Sequence, residues 1–272
     1  MKKRLGIFGI FLCLLYSAIV ICNYAQYRQV RTVTPQIDNI EPYKTYATVY
    51  EKYREEIITG ALAEQNIDQD LSKAHANGCE PIYVPDDNQQ ISEIAKLSIA
   101  LIKQSDTCNF PEKEKFLIDS YEMGIALQYL SSGKDVAYMI KGRCRDRLLK
   151  MCEVLPREQL ADIYKEFSDL QQKQISYKDT IHLSECATVD NYKKSSIFNP
   201  LRQLQLYRYS TIMKQLSADN PSHPRKYYLL SNIDKLLFFS TYHSFYNYDY
   251  NWYKDRMCGT DCLNKMKSYL QK

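Results

Sequence analysis

Two histidine–cysteine pairs have a spacing that suggests chemistry. His75 stands four positions before Cys79, and His182 stands four before Cys186. On a helix this spacing places both side chains on one face, and imidazole with thiolate is a ligand pair that Zn²⁺ accepts. Two such pairs would complete a zinc site if the fold brought them together. An Asn-Gly turn interrupts the first pair and nine cysteines make such pairs easy to obtain by accident, so we predict no metal or cofactor.

The cysteines also suggest disulfides, because seven of the nine lie beyond the apolar N-terminal run. Cys258 and Cys262 have a helical separation that just fits disulfide geometry. Cys79 and Cys108 flank a predicted helix and are a second candidate pair. Cys144 falls in an apolar helical stripe, which predicts a buried thiol. Seven is an odd number, so at least one thiol is expected to stay reduced or to join another chain.

A run of aromatic residues near the C-terminus is the strongest sign of a binding surface. It places seven rings, including the only tryptophan, within twelve residues. Aromatic rings stack on sugars and anchor protein partners. The alternative is ordinary packing, since 24 tyrosines are spread through the chain. The candidate binding residues are Tyr242, Tyr246, Tyr248, Tyr250, Trp252 and Tyr253.

The catalytic motifs that a single sequence can reveal are missing. We find no Gly-x-Ser-x-Gly elbow, phosphate loop, dinucleotide fingerprint or His-Glu-x-x-His pattern. Of the net charge of +4, three units come from Lys2, Lys3 and Arg4, which leaves +1 on the rest of the chain. A basic nucleic-acid-binding protein is therefore excluded. The sequence favours a protein that is not an enzyme.

The N-terminal segment is long and apolar. From Leu5 to Cys22 it has 18 residues without a charge, and the uncharged run reaches 23 residues at Tyr27. At about 1.5 Å per residue a helix of this length covers roughly 34 Å, which is enough to cross a bilayer core of roughly 30 Å. We predict a transmembrane anchor over 1–27. The alternative, a cleaved signal peptide, requires small residues before the cut, and Tyr16 or Asn23 would stand at the third position before it.

The charges beside this segment predict its orientation. The basic cluster at residues 2–4 outweighs Arg28 and Arg31 on the other flank. By the positive-inside rule the N-terminus is cytoplasmic and the bulk of the chain is extracytoplasmic. The sequence thus predicts a single-pass membrane protein.

Beyond the anchor, the sequence predicts a polar tether over 28–42 and one all-α domain over 43–272. Apolar residues recur at three- and four-residue steps, and no alternating strand pattern competes with them. Short breaks at Gly133 and Pro156 predict antiparallel helical hairpins. The expected helices start at Tyr43, run from 89 to 104, occupy 111–170 in three pieces, start at Pro200, cover 229–240 and end the chain over 253–270.

These features together favour a membrane-anchored, extracytoplasmic helical protein that binds or scaffolds something. A protein partner is expected before a carbohydrate. The first alternative is a metal-dependent or other hydrolase whose residues converge from distant segments, with the two histidine–cysteine pairs as suspects. The second alternative is a structural spacer tethered to the membrane.

Overall fold

The fold is all-α, as the sequence predicts. A computed structural model describes residues 2–30, 40–60, 62, 64–80, 89–130, 133–180, 182–183, 186, 198 and 239–271. Every regular element that these residues form is an α-helix. The helices are α1 (Lys2–Val30), α2 (Glu41–Lys52), α3 (Arg54–Thr59), α4 (Glu64–Ala76), α5 (Gln89–Ser105), α6 (Glu112–Tyr129), α7 (Lys134–Cys152), α8 (Arg157–Gln172) and α9 (Phe239–Leu270).

Helix α1 carries its apolar side chains on the outside. Ile7, Phe8 and Leu14 are each more than half exposed. Among the described residues, the helix pairs in extensive contact include neither α1 nor the short helix α3. Its Tyr16 hydroxyl donates a hydrogen bond to the carbonyl of Phe198 at 2.9 Å. No helix within the described part of the chain is long and apolar enough to cross a membrane.

Helices α2 to α4 are joined by a face of tyrosines. Tyr43, Tyr46, Tyr50 and Tyr53 follow the predicted helical spacing, and all four are buried. The predicted helix breaks at Tyr53, and α3 ends at Gly60, whose φ of 70° is left-handed. Glycine adopts this conformation at no steric cost, which explains the stop. Helix α4 packs on α2 and was not predicted, although its buried Ile67, Leu71 and Ala74 recur at steps of four and three.

The core lies where α5, α6 and α7 meet. Leu101 of α5, Leu127 of α6 and Ile140 of α7 are all fully buried there. Helices α6 and α7 approach closely at Gly124, where an added Cβ would lie 2.7 Å from Lys141 Cγ. The three predicted helices of residues 111–170 are therefore confirmed as α6, α7 and α8.

The break between α6 and α7 depends on glycine for a reason that the sequence did not indicate. A glycine that ends a helix is often left-handed. The φ of Gly133 is instead −84°, and Gly133 precedes the first residue of α7. A Cβ at Gly133 would lie 2.4 Å from the carbonyl oxygen of Leu127. Glycine is needed here for space rather than for its backbone freedom.

The C-terminal helix is longer than predicted. Helix α9 begins at Phe239, so the aromatic run from Tyr242 onward is helical. It packs against α7 and α8. Of the other predictions, the helices at 200–216 and 229–238 lie outside the described residues. The ends of the predicted tether are helical, since 28–30 belong to α1 and 41–42 to α2.

Candidate functional site

A cleft lies between α7 and α9 in the described part of the chain. It has a volume of about 520 Å³. Met139, Gly142 and Leu149 of α7 form one wall, and Asn251 and Cys258 of α9 belong to the other. A cleft of this size fits a small molecule.

A buried carboxylate forms the floor of this cleft and joins the two helices. Asp255 of α9 is 3% exposed. Its Oδ2 is ion-paired with Lys141 Nζ, and its Oδ1 accepts a hydrogen bond from Arg145 Nη1 at 2.6 Å. Both cations belong to α7, at a helical spacing of four. The pairing links residues 110 positions apart in sequence.

Asp255, Lys141 and Arg145 together form the floor of the cleft, and the floor has more basic than acidic side chains. Burial lowers the pKa of Lys141, although Asp255 opposes that shift. Burial likewise disfavours charge on Arg145, but Asp255 and Tyr121 outweigh it and raise the Arg145 pKa. One carboxylate thus faces two buried cations. Lys141 also donates to Gln128 Oε1 at 2.8 Å, which is a neutral partner.

The hydroxyl of Tyr121 extends the polar network toward α8. It accepts hydrogen bonds from Gln171 Nε2 at 2.7 Å and from Gln174 Nε2 at 3.0 Å. Arg145 Nη1 lies 3.4 Å from the same oxygen. Burial raises the pKa of Tyr121, so the hydroxyl stays protonated. These contacts hold the end of α8 in a fixed position beside the cleft.

Of the six predicted aromatic binding residues, the structure describes the side chains of two. Trp252 is buried, and its Nε1 donates to the carbonyl of Ile175 at 3.2 Å. Its ring meets that of Tyr177 edge-on, with centroids 5.0 Å apart. Tyr253 is half-buried. Trp252 therefore packs α9 onto the 174–180 segment rather than offering a surface.

The remaining predicted aromatic residues lie outside the described set. Their helix is described, but the side chains of Tyr242, Tyr246, Tyr248 and Tyr250 are not. Their role in binding stays a prediction.

The first histidine–cysteine pair does not act as a unit. His75 lies in the last turn of α4, and Cys79 follows the left-handed Gly78. His75 Nδ1 is 2.9 Å from the Tyr46 hydroxyl, and its Nε2 is 3.2 Å from Asp119 Oδ1. These contacts join α2, α4 and α6 through one imidazole. The predicted turn within this pair is confirmed.

The second pair does come together. Cys186 Sγ lies 3.8 Å from His182 Nε2, and Cys186 is buried while His182 is exposed. Lys134 of α7 is nearby, and burial lowers its pKa to about 7, partly opposed by Cys186 and Asp135. No group of three or more His, Cys, Asp or Glu side chains that the structure describes is arranged to hold a metal ion.

The predicted disulfides are absent. No disulfide joins any of the nine cysteines, so Cys258–Cys262 and Cys79–Cys108 are not bonded in this structure. Cys262 belongs to the hydrophobic core. Burial raises the pKa of Cys262 and that of Cys79 to about 12. Disulfide formation requires a thiolate, which these environments disfavour.

Sequence reasoning missed the charged floor. Lys141 and Arg145 each follow a residue of the buried α7 stripe by one position, at Ile140 and Cys144. Two cations four residues apart beside a core stripe were a visible sign that a carboxylate had to reach them. Nothing in the sequence indicated that the partner was Asp255. No family model, curated protein or solved structure matches this chain.

Proposed function

We propose that the chain is a membrane-anchored helical binding protein, held at a bilayer by α1 and presenting the α2–α9 domain outside the cytoplasm. The observation that carries the proposal is the exposed apolar surface of α1. Ile7, Ile10 and Ile21 are 69%, 63% and 68% exposed. Apolar surface of this extent in a soluble protein would be left in water, whereas a bilayer would cover it.

The sequence around this surface supports the anchor. The run from Leu5 to Tyr27 has 23 residues without a charge. Within it, the structure describes the side chains of residues 6–22, 24 and 25. Tyr24 is half exposed, and tyrosines favour the interface between lipid and water. The basic residues 2–4 favour a cytoplasmic N-terminus. An anchor in this orientation leaves the helical domain on the extracytoplasmic side.

Alkaline carbonate extraction of cell membranes tests the anchor. The parent chain is expected to stay in the membrane pellet, and a variant with both Leu12→Arg and Leu14→Arg is expected in the supernatant. Each arginine costs about 2.5–3.5 kcal/mol at the centre of a membrane helix. The matched control carries Ile58→Arg and Val154→Arg, two exposed apolar positions outside α1, and should stay in the pellet. Release of the parent chain would contradict the proposal.

Protease added to intact cells tests the orientation. Digestion of the helical domain is expected without lysis. If the domain is cut only after lysis, it lies in the cytoplasm, which would contradict the proposed orientation.

The binding role is supported by the α7–α9 cleft and, for a protein or carbohydrate partner, by the aromatic run of α9. Since Trp252 is buried, the partner surface rests on the four tyrosines whose side chains are not described. A purely structural spacer would need no cleft of about 520 Å³ with a charged floor.

The contact between Cys186 and His182 favours a second candidate, a thiol-dependent hydrolase. A histidine-activated cysteine is a thiolate near neutral pH and reacts rapidly with iodoacetamide. If the pair is catalytic, Cys186 should be alkylated at least about 10-fold faster than half-buried Cys258, and His182→Ala should remove the difference. Slower alkylation of Cys186 than of Cys258 would reject the hydrolase.

A further inference from the structure

The charges at the α7–α9 cleft do not balance on its floor. Asp255 is the one carboxylate that the described residues place against buried Lys141 and Arg145. Their other partners, Gln128 and Tyr121, are neutral. Removing such a charge from water costs several kcal/mol unless it is paired. The floor therefore has an excess of one positive charge.

The mouth of the cleft does not supply the missing negative charge. Lys254 and Lys265 line it together with Asp146 and Asp261, so its charges cancel. Arg256 adds a further positive charge to the surroundings of Lys141. The excess on the floor thus persists when the rim is included.

Arg145 has donors on the side of the open space. Both hydrogen bonds that it makes with described residues leave from Nη1. Its side chain lines the cleft and is 9% exposed, and Nη2 faces the side of Gly142, at 3.9 Å from where a Cβ would stand. A guanidinium has a planar edge that fits a carboxylate with two parallel hydrogen bonds.

We propose that the α7–α9 cleft binds a small organic monocarboxylate, whose carboxylate meets Arg145 and whose apolar part lies against Met139 and Leu149. A single negative charge balances the floor, whereas a phosphate dianion would reverse its sign. The apolar wall favours an organic acid over an inorganic anion. This inference rests on the proposed binding function and gives it a ligand class.

Titration of the full chain in detergent with benzoate tests the proposal. Fluorescence of Trp252 reports the binding, because this only tryptophan lies on α9 one turn before Asp255. Saturable quenching by benzoate is expected, with at least about a 10-fold weaker response to the uncharged isostere benzamide and to inorganic phosphate, since loss of one charged hydrogen bond is worth about 1.5–3 kcal/mol. Equal binding of benzamide, or tighter binding of phosphate, would overturn it.

Two variants separate binding from folding. Arg145→Gln leaves Lys141 and Asp255 as a balanced pair, so the variant should fold and lose benzoate binding. Arg147→Gln is the matched control, because Arg147 lies on the same helix and pairs with exposed Asp106 outside this cleft. Its affinity should equal that of the parent.

Gly142→Met fills the cleft without changing its charges. A Cβ at Gly142 has room, so the variant should fold, and its longer side chain should block benzoate. Retained binding in folded Arg145→Gln or Gly142→Met would overturn the proposal. The membrane anchor is tested independently, because the doubly substituted α1 variant in detergent should bind benzoate as the parent does.

Discussion

The two sides of α7 show how one helix can serve stability and binding separately. On the side that faces α6, fully buried Ile140 and Leu148 pack against apolar partners, and the helices approach so closely that Gly124 admits no further atom. On the side that faces α9, Lys141 and Arg145 meet Asp255 beside an open cleft. The contact of α7 with α6, the apolar seam, is formed mainly by apolar side chains, although Lys141 and Arg145 also reach Gln128 and Tyr121 there. The contact of α7 with α9, the polar seam, depends on the carboxylate of Asp255.

The two seams differ in how their contacts contribute to the free energy of folding and to the choice of partner. Apolar burial contributes roughly 25 cal/mol per Å² and requires no particular partner. A buried ion pair gains little over an apolar pair, but it fixes which residues meet and fails when one partner is lost. Helix α9 is thus positioned by Asp255 and Trp252. The α6–α7 seam supplies the stability on which that positioning depends.

The largest effect is expected from a charge on the apolar seam. Ile140→Asp should unfold the domain, with a loss of about 5 kcal/mol or more, because an unpaired carboxylate would be buried there. The adjacent Met139 is 40% exposed, so Met139→Asp is the matched control and should melt within about 1 kcal/mol of the parent. Circular dichroism during thermal unfolding measures both. A cooperative melt of Ile140→Asp at the parental temperature would show that this seam is not the core.

Much of the apolar seam could be predicted from the sequence, and little of the polar one. Periodicity depends on neighbours three and four positions apart, and the predicted burial of Cys144 in an apolar helical stripe is confirmed. The contact of Arg145 with Asp255 spans 110 positions. No local pattern encodes such a contact.

The same reasoning explains the cysteine and aromatic predictions. Spacing showed that Cys258 and Cys262 could approach each other, but burial of Cys262 among core residues depends on the tertiary fold. Composition could not distinguish a surface ring from a packed one, and Trp252 is packed.

The next largest effect is expected on the polar seam. Asp255→Asn leaves Lys141 and Arg145 buried without a carboxylate and should cost about 3–5 kcal/mol. Asp261→Asn is the matched control, since Asp261 is an exposed residue of the same helix at the cleft mouth, and it should change stability by less than about 0.5 kcal/mol. Urea unfolding gives both values. Equal stability of the two variants would mean that Asp255 does not hold α9 on α7.

Glycine substitutions compare the space available on the two sides. Gly133→Ala should cost about 1–3 kcal/mol, because its Cβ would meet a backbone carbonyl oxygen 2.4 Å away that cannot move aside. Gly142→Ala, within α7 on its cleft side, should instead gain roughly 1 kcal/mol from better helix propensity. Melting temperatures should thus shift in opposite directions. A shift of the same sign would show that the two sides are packed alike.

The smallest effect concerns Lys134, a buried lysine at the first residue of α7 whose Nζ donates to the carbonyl of Thr180 at 3.2 Å. Burial lowers its pKa from 10.5 to about 7. Between these values the unfolded chain binds more protons than the folded one, so stability rises with pH. From pH 7 to about 8.5 we expect a gain of about 1.5 kcal/mol.

The rise in stability with pH is expected to end near pH 9. Burial raises the pKa of Cys144 and Cys152 from 9.0 to about 12, so above pH 9 these thiols ionise only in the unfolded chain, which lowers the free energy of unfolding. Urea unfolding of the parent and of Lys134→Met at both pH values isolates the lysine, since the other groups titrate in both chains. Lys134→Met should lack the rise. If it rises as the parent does, Lys134 is charged in the folded state, and α7 would then hold a buried cation at its start as it does at its centre.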